Sequence, residues 1–302
     1  MAALARKRVV GLGLCVVDHI YLVDRLDLGE PRTRYTARRV APGGMVTTAL
    51  TQAARLGCRT RLLSSVGNDP AGRYLRRSLR AAGVGTDRLV LSASQPTTVA
   101  VVLVQRRSGQ RRFLVPDRRA LERRAARFDL DAIDLNAVLL VDGHFPTQAL
   151  RAVRRARRLG VRVIGDFSRP GPRVRQLLPF VDYPIVPLEF AKAYAAGDPK
   201  RALRTLRARY GGTPVVTLGA RGGLYLGPAG GVRRYRPHRV AVRDTTGAGD
   251  AFHGAFAAAL CHDLELEEAL DLAARAAAVC CTGIGGTQRL MTREEARALR
   301  AR

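Results

Sequence analysis

The second half of the chain alternates apolar, strand-like runs with amphipathic, helix-like segments, and this alternation most restricts the possible folds. From Ala137 onward, AVLLVDGH predicts a strand, Thr147 to Leu159 an arginine-rich helix, VRVIGDF a second strand and VDYPIV a third. Alternating units of this size require crossover connections, which pair the strands in parallel with right-handed topology. The pattern therefore predicts an α/β fold, a doubly wound, mostly parallel sheet flanked by helices.

The segment DTTGAGDAFHGAFAAAL, which begins at Asp244, carries the strongest functional pattern. Its glycines lie where a polar, β-branched segment changes to a small, apolar run with helical periodicity. Glycine lets backbone N–H groups turn toward a ligand, and a helix start adds unpaired donors and a positive dipole end. We therefore predict that Gly247, Ala248 and Gly249 form a cradle for a phosphoryl group, called the anion cradle below.

Asp250 follows the anion cradle directly, and we expect it to be the only carboxylate that adjoins the cradle. A carboxylate at this place repels phosphate unless it has a chemical role. The role that fits is general base catalysis, in which Asp250 accepts the proton of a hydroxyl group that attacks the phosphorus atom. The alternative is an acidic residue that merely complements the helix dipole.

The string DTTGAGDAFHGAF resembles the C-terminal signature of the PfkB family of carbohydrate kinases, relatives of ribokinase, in which the Asp of GAGD is the catalytic base. Pro42 to Gly57, PGGMVTTALTQAARLG, resembles the family's N-terminal signature, and the resemblance extends from Val9 to Glu295. It implies a ribokinase-like fold and an ATP- and Mg²⁺-dependent kinase that phosphorylates a hydroxyl of a sugar. With 302 residues, the chain fits one kinase domain over residues 1–302.

Two segments far apart in the sequence, Ile20 to Val40 and Thr97 to Val115, alternate polar and apolar side chains and are rich in Val, Thr and Tyr. They predict strand groups at about residues 19–40 and 97–115. By resemblance they form a small β-sheet lid that closes over the sugar and often supplies a dimer interface, which leaves open a homodimer through the lid. A lid suits kinase chemistry because the exclusion of water prevents futile hydrolysis of ATP.

Arg8 to Val17, RVVGLGLCVV, predicts one buried strand of the central sheet, which puts Asp18 at the carboxyl end of that strand. Open α/β sheets bind ligands at this end, and family members use an Asp here to hydrogen-bond sugar hydroxyls. The alternative is a turn aspartate.

Gly43 and Gly44 precede a predicted helix that ends at Gly57, and the resemblance assigns them to the substrate site. Many family members carry Asn where Thr48 stands, and that Asn contacts the substrate. Threonine keeps a hydroxyl group but lacks the reach of the amide, so the substrate pocket differs from that of ribokinase. The alternative is a helix start capped by Gly-Gly and nothing more.

Three polar residues, Asp142, His144 and Asp166, follow predicted strands and face the same side of the sheet. We interpret His144 as a substrate contact or a hydrogen-bonded structural group, because Asp250 already provides the base.

PVVTLGARGGLYL predicts a strand, a glycine turn and a return strand, and it resembles the family's TLGxxG element beside the nucleotide. The resemblance places Thr217, Gly219 and Gly222 near ATP; the alternative is an ordinary hairpin turn. The later CTGIGGTQ loop matches the segment that surrounds adenine, with Ala274 where the family often has Asn.

Two acidic residues are candidate metal ligands by resemblance. Asp244 matches the carboxylate that holds potassium next to the cradle in several ribokinase relatives; the alternative is that it caps the turn through its own backbone. Glu189, in Pro187-Leu188-Glu189-Phe190, matches only in part the Asn-x-x-Glu motif whose Glu helps organise magnesium, because the Asn is absent and the acid is one position early.

The composition limits the other function classes. The net charge of +27 comes from 52 Lys+Arg against 25 Asp+Glu, but the arginines are spread over the whole chain, aromatic residues make up 5% and tryptophan is absent. Specific nucleic-acid binding is therefore not predicted.

Five cysteines without CxxC spacing predict reduced thiols, and no apolar run is long enough to span a bilayer, so we expect a cytoplasmic protein without membrane contact.

The branch of the family that contains sulfofructose kinase is the one most similar to this chain in three segments, HIYLVDRL, GGMVTTA and the CTxxGG ending.

Two other functions remain as alternatives. A nucleoside kinase of the same superfamily would share the catalytic string but surround a base with aromatic or apolar side chains. A non-catalytic sugar-binding member would be expected to lose the base or the cradle, and both are present here.

Overall fold

The computed structural model describes residues 7–26, 32–117 and 127–298. In chain order, its strands are β1 (Arg8–Leu12), β2 (Val16–Val23), β3 (Tyr35–Gly43), β4 (Arg59–Leu63), β5 (Ser65–Gly67), β6 (Val90–Ser92), β7 (Val99–Gln105), β8 (Arg111–Leu114), β9 (Ala137–Val141), β10 (Val163–Asp166), β11 (Tyr183–Pro187), β12 (Val215–Thr217), β13 (Gly223–Leu226) and β14 (Val232–Tyr235). Its α-helices are α1 (Met45–Arg55), α2 (Pro70–Ala81), α3 (Pro146–Arg158), α4 (Pro172–Leu177), α5 (Leu188–Tyr194), α6 (Pro199–Tyr210), α7 (Ala248–Cys261), α8 (Leu266–Cys280) and α9 (Arg293–Ala298).

Within the described residues, the central sheet has the strand order β14-β13-β12-β11-β10-β9-β1-β4. Strands β4 to β12 in this order run parallel, and β13 and β14 complete one edge as antiparallel strands. Strand β9 is apolar and fully buried, as expected for a strand covered on both faces. Leu140 belongs to the apolar cluster that includes residues of α1, α2, α7 and α8, while its neighbour Leu139 belongs to the cluster that includes residues of α3 to α6 on the other face. The predicted doubly wound, mostly parallel sheet is therefore confirmed.

A second sheet has the strand order β3-β2-β7-β8 and contains strands from both predicted lid segments; residues 27–31 of the first segment lie outside the described residues. Strands β2 and β7, which are far apart in the sequence, pair in parallel, and β3 and β8 flank them as antiparallel strands. Ile20, Ala41, Val102 and Val104 form a small apolar cluster of their own. Because this cluster is separate from the two core clusters of the central sheet, the small sheet is a distinct layer, called the lid below.

The predicted single strand over Arg8 to Val17 is wrong, because the structure divides it between the two sheets. β1 ends at Leu12 in the central sheet, and β2 belongs to the lid. Between them, the N–H of Leu14 donates to Asp142 Oδ2 at 2.8 Å, and a Cβ on Gly13 would lie 2.2 Å from the same carboxylate. The chain therefore leaves the sheet over the side chain of Asp142.

This division moves Asp18, which we predicted at the end of a central strand. Asp18 is instead the third residue of β2 and pairs with Ala41 of β3 and Ala100 of β7. The physical reason is the close packing of Gly13 on Asp142, which turns the chain out of the central sheet before Asp18. Its side chain thus belongs to the lid.

The start of β7 is tied to α2 by Asp69. This carboxylate accepts hydrogen bonds from the Gly72 N–H at 2.7 Å, as a helix N-cap, and from the Thr97 N–H at 2.7 Å. Asp69 thus caps α2, and the second bond fixes one end of the lid to the main body. Among the helices that the structure describes, none is long and apolar enough to cross a membrane.

Candidate active site

The anion cradle lies where the chain enters α7. Gly247 is the N-cap residue, with φ of 77°, and a Cβ at this position would lie 2.4 Å from the Cα of Gly286. Glycine is therefore required by the backbone angle and by the close approach of the CTGIGGTQ segment, residues 281–288, which is called the C-terminal loop below. Gly249 is exposed, and a Cβ there would meet no atom within 4 Å. The first turn of α7 thus opens onto free space, as a helix N-terminus that binds an anion must.

Asp250 lies in the first turn of α7 and is half-buried. Burial, together with the nearby Asp166 carboxylate, raises the pKa of Asp250 to about 8, while His253 and Arg111 act in the opposite direction. The expectation that Asp250 is the only carboxylate at the cradle is therefore wrong. Asp166 approaches from the end of β10, which the sequence separates from the cradle by about eighty residues.

The carboxyl ends of β9 and β10 bring Asp142, His144 and Asp166 together. Asp142 accepts hydrogen bonds from the N–H of Leu14 at 2.8 Å and of His144 at 2.9 Å, and His144 Nδ1 lies 3.0 Å from Asp142 Oδ1. Burial raises the pKa of Asp142, but His144 and these donors outweigh it, so the pKa lies below its usual range. Burial and the Asp142 charge raise the pKa of Asp166 well above its usual range.

His253, which the sequence analysis missed, joins α7 to the ends of two strands. Its Nδ1 lies 2.7 Å from the carbonyl oxygen of Gly249 and 3.4 Å from Asp166 Oδ2, and its Nε2 lies 3.2 Å from the carbonyl oxygen of Ile185. Burial lowers the pKa of His253, against the effect of both carbonyl groups and of Asp250. The signal in the sequence was a polar residue in the otherwise apolar run after GAGD.

A cavity of about 500 Å³ adjoins the cradle on the side of β12. Thr217, Gly219 and Gly222 line it together with Ala248 and Gly249 of the cradle. The structure thus brings the predicted nucleotide residues and the cradle into one cavity.

Most of the remaining wall is apolar. It includes Phe252 from α7 and Ala274 and Ala277 from α8. Phe252 also packs against Tyr235, with 5.6 Å between ring centroids. Small side chains on α8 leave a flat wall, which suits the face of a planar ring.

The residues predicted for the substrate lie where the lid meets α1. Asp18 packs so closely on Gly43 that a Cβ there would be 2.1 Å from Asp18 Oδ2. Gly44 has φ of 102° and is the N-cap residue of α1. Burial raises the pKa of Asp18 to about 6. Thr48 is buried in α1, and its Oγ1 lies 3.5 Å from a Cβ placed on Gly286, the residue that contacts the cradle.

Asp244 is buried, and its carboxylate holds the loop of residues 243–245 that leads into the cradle, called the cradle loop below. Oδ1 accepts hydrogen bonds from the Thr246 N–H at 2.9 Å and its hydroxyl at 2.7 Å, and Oδ2 accepts one from the Gly285 N–H at 2.7 Å. These bonds make Asp244 a turn residue, and they also join the cradle loop to the C-terminal loop. The three donors are electrically neutral, so a cation next to this carboxylate is compatible with the donor set.

Glu189 does not fit a magnesium site. Its side chain is exposed in the first turn of α5, and none of the hydrogen bonds or ion pairs among the described residues joins it to the cradle. In the same part of the chain, no group of three or more His, Cys, Asp or Glu residues is placed to hold a metal ion.

Arg111, at the start of β8, is a second residue that the sequence analysis missed. Its Nη1 donates a hydrogen bond of 2.7 Å to Thr245 Oγ1, two residues before Gly247. Arg111 is one of many arginines in the chain, and the sequence alone gave no sign that this one reaches the cradle loop.

An open α/β sheet with acidic strand ends, a glycine-lined helix start and an adjoining ring-sized cavity defines the class of phosphoryl-transferring enzymes that bind nucleotides. Comparison with known families narrows the class. Residues 6–293 match the pfkB family carbohydrate kinases, so the chain belongs to this family and is an ATP-dependent phosphotransferase with an alcohol group as acceptor. The predicted family and activity class are confirmed.

Individual proteins agree with this assignment. Ribokinase from Haemophilus influenzae is 26% identical over 301 residues, which cover 96% of this chain and 97% of that protein. Ketohexokinase from Mus musculus is 24% identical over 290 residues, which cover 91% and 96%. The structure of Arabidopsis thaliana ribokinase complexed with ribose and ATP superposes with a TM-score of 0.81 at 22% identity, covering 98% of this chain and 99% of that one. The predicted ribokinase-like fold is thus confirmed.

Proposed function

We propose that the protein transfers the γ-phosphoryl group of ATP to a primary hydroxyl group of a sugar or sugar derivative, with Asp250 as the general base. The observation that carries the proposal is the position of Asp250, half-buried in the first turn of α7 directly after the anion cradle. A pKa raised to about 8 makes the deprotonated carboxylate a stronger base than that of an ordinary aspartate, and the deprotonated fraction grows as the pH rises toward 8.

In this mechanism, Asp250 removes the proton of the acceptor hydroxyl while the hydroxyl oxygen forms a bond to the γ-phosphorus. The bond from that phosphorus to the bridging oxygen breaks, and ADP leaves. Backbone N–H groups of Gly247, Ala248 and Gly249 stabilise the charge on the transferred group. The lid excludes water, so that the acceptor hydroxyl and not water attacks.

ATP is proposed to bind in the cavity beside the cradle, with its adenine against the apolar wall. Thr217, Gly219 and Gly222 then lie along the nucleotide, and close approach of its backbone is possible because two of the three residues are glycines. Magnesium, which phosphoryl transfer requires, is proposed to enter on the phosphates of ATP, because kinases hold it largely through substrate oxygens. Glu189 has no part in this proposal.

The acceptor is proposed to bind between the lid and α1. Asp18 accepts hydrogen bonds from sugar hydroxyls, Gly43 and Gly44 let the acceptor approach the backbone, and the hydroxyl of Thr48 is a further contact. His144, whose Nδ1 lies 3.0 Å from Asp142, is proposed as a contact at the strand-end side. A sulfofructose-type sugar is one candidate acceptor, and a panel of acceptors discriminates between the candidates.

Two further parts of the proposal follow from the resemblance. Potassium beside Asp244 would add positive potential where phosphoryl charge develops and would hold the cradle loop in shape, and the buried carboxylate with neutral donors supports such a site.

A homodimer through the lid is supported by Phe113 and Leu114, which are 47% and 51% exposed on β8. Light scattering of the wild type and of Leu114→Glu tests the dimer, which the charge should dissociate.

The experiment that tests the function is ATP turnover against a panel of ketoses, aldoses, sugar acids, sugar phosphates and nucleosides, with the Asp250→Asn variant as control. We expect acceptor-dependent release of ADP with one class of sugar. Turnover with nucleosides alone would replace the sugar kinase by the nucleoside kinase. The absence of acceptor-dependent turnover across the panel would favour the non-catalytic alternative.

A further inference from the structure

We propose that Arg111 is a catalytic residue, a lid-borne guanidinium that binds the phosphoryl group as it is transferred at the anion cradle. The inference rests on the proposed function and adds a group that neither sequence signature contains. Phosphoryl transfer depends on positive charge placed against the equatorial oxygens, and an arginine is well suited because its planar fork matches phosphate geometry.

The first observation is the contact between the lid and the cradle loop. Arg111 Nη1 donates to Thr245 Oγ1 at 2.7 Å. At the tip of the same hairpin, between β7 and β8, a Cβ on Gly109 would lie 3.5 Å from the carbonyl oxygen of Arg243. The hairpin therefore lies along the loop of residues 243–245, which leads into the cradle at Gly247. Arg111 is the basic residue that this hairpin delivers to that loop.

The second observation is the charge that Arg111 brings to the catalytic centre. The guanidinium lowers the pKa of Asp250, against the larger effect of burial. It also lowers the pKa of Cys280 and of Cys281, against burial and the neighbouring acidic groups. Its positive potential thus reaches Asp250, the residue that directly follows the anion cradle.

The third observation is the donor capacity of the side chain. A guanidinium has five N–H donors, and the contact with Thr245 Oγ1 uses Nη1. The Arg111 side chain is exposed, and its guanidinium carbon lies 5.8 Å from the centre of the Phe113 ring, which limits its orientations. Nitrogen atoms other than Nη1 are therefore available to a phosphate oxygen over the cradle.

This arrangement couples lid closure to chemistry. The anion cradle belongs to α7, whereas Arg111 belongs to the lid, so the full set of donors exists only while the two are in contact. An acceptor that holds the lid closed would therefore also complete the electrostatic site, and hydrolysis of ATP in the open state would lack the arginine.

The neighbouring Arg112 provides a matched control. Successive side chains of a strand point to opposite faces, so Arg112 presents the same charge on the face away from Arg111. Both residues are exposed in β8, and neither is part of an apolar cluster. Arg111→Gln and Arg112→Gln therefore change net charge equally, and melting temperatures within a few degrees of the wild type would verify that both variants fold.

The test is calorimetric binding of magnesium AMP-PNP and magnesium ADP, which differ in the terminal phosphoryl group, without any acceptor. We expect Arg111→Gln to weaken AMP-PNP binding about 10- to 100-fold, the cost of a hydrogen bond to a charged group, and ADP binding less than about twofold. Arg111→Lys, which keeps the charge without the fork, should fall between. Arg112→Gln should match the wild type with both ligands.

Turnover with the best acceptor of the panel provides the second readout. Arg111→Gln should lower kcat about 10³-fold or more, since an arginine that stabilises the transferred group is worth about 10³ to 10⁵ in kcat. Equal AMP-PNP to ADP affinity ratios in Arg111→Gln and Arg112→Gln would overturn the assignment of Arg111. Failure of the general base proposal would look different, because Asp250→Asn would then retain turnover whatever the binding ratios are.

Discussion

The proposed catalytic centre has a nucleotide side and an acceptor side, and the two sides are built in different ways. On the nucleotide side, backbone and small residues such as Gly219, Gly222 and Ala274 shape a largely apolar cavity. On the acceptor side, polar side chains such as Asp18 and Thr48 project from the lid and from α1. A shape made by backbone follows from the fold, whereas hydrogen-bonding side chains vary within a fold. Membership of the family therefore agrees with ATP as the phosphoryl donor, while the choice of acceptor depends on the polar side chains of the acceptor side.

Asp250 lies at the junction of the two sides, and its substitution should have the largest effect. Asp250→Asn should lower turnover about 10²- to 10⁴-fold, since the amide cannot accept the hydroxyl proton, and should leave ADP binding largely intact. Initial rates and calorimetry measure the two effects. Asp87→Asn, at an exposed carboxylate paired with Arg61, is the matched control. Near-normal turnover of folded Asp250→Asn would remove the base from the proposal.

The pH dependence follows from the raised pKa of Asp250. A base acts when deprotonated, so a pKa of about 8 in the free enzyme means that kcat/KM rises with pH and becomes constant above about 8. Two pH units below that value, kcat/KM should be about 100-fold lower, because each unit reduces the deprotonated fraction tenfold. A profile of kcat/KM that stays flat from pH 6 to 9 would contradict this assignment.

A larger side chain in the apolar wall separates the nucleotide side from the acceptor side. Ala277→Leu should raise the KM for ATP about 10- to 100-fold, from the 1–3 kcal/mol that overpacking typically costs, and leave the KM for the acceptor nearly unchanged. Steady-state kinetics with each substrate varied in turn would measure both constants. If both rise together, the cavity is not specific to the nucleotide.

The complementary change is Asp18→Ala on the acceptor side. We expect the acceptor KM to rise about 10- to 100-fold, since a lost hydrogen bond to a charged acceptor is worth about 1.5–3 kcal/mol, while the ATP KM changes little. Asp18→Asn, which keeps one acceptor oxygen, is the control and should have a smaller effect. Equal increases in both KM values would assign Asp18 a structural role.

The smallest effect is expected from the monovalent cation. Initial rates should be several-fold higher in potassium than in tetramethylammonium at matched ionic strength, because a cation beside Asp244 strengthens the potential at the cradle. Indistinguishable rates would leave Asp244 with only the hydrogen bonds to Thr246 and Gly285.

Local patterns predicted much of the fold and the floor of the site. The apolar run of β9 specified a strand buried on both faces, and the glycines before α7 specified a helix start open to an anion. Neither depends on a distant residue. Both lid segments were also recognisable, because alternation of polar and apolar side chains is a local property.

The errors concern contacts between distant parts of the chain. The break after β1 depends on the packing of Gly13 against Asp142, and the second carboxylate near Asp250 comes from the end of β10. His253 and Arg111 acquire their partners only when β11 and the lid meet α7 and its loop. Spacing in the sequence carries no information on contacts between distant elements, so residue types alone could not identify these groups.

The packing of Gly286 on Gly247 makes the anion cradle depend on a segment that lies far from it in the sequence. Gly285 donates to Asp244, and the backbone of Met291 exchanges two hydrogen bonds with the side chain of Gln52 in α1. Residues 285–291 thus close over both glycine signatures at once. We expect a chain that is cut before residue 285 to keep its central sheet but to lack a formed cradle, so that residues 285–291 act as a clasp without which no kinase activity develops.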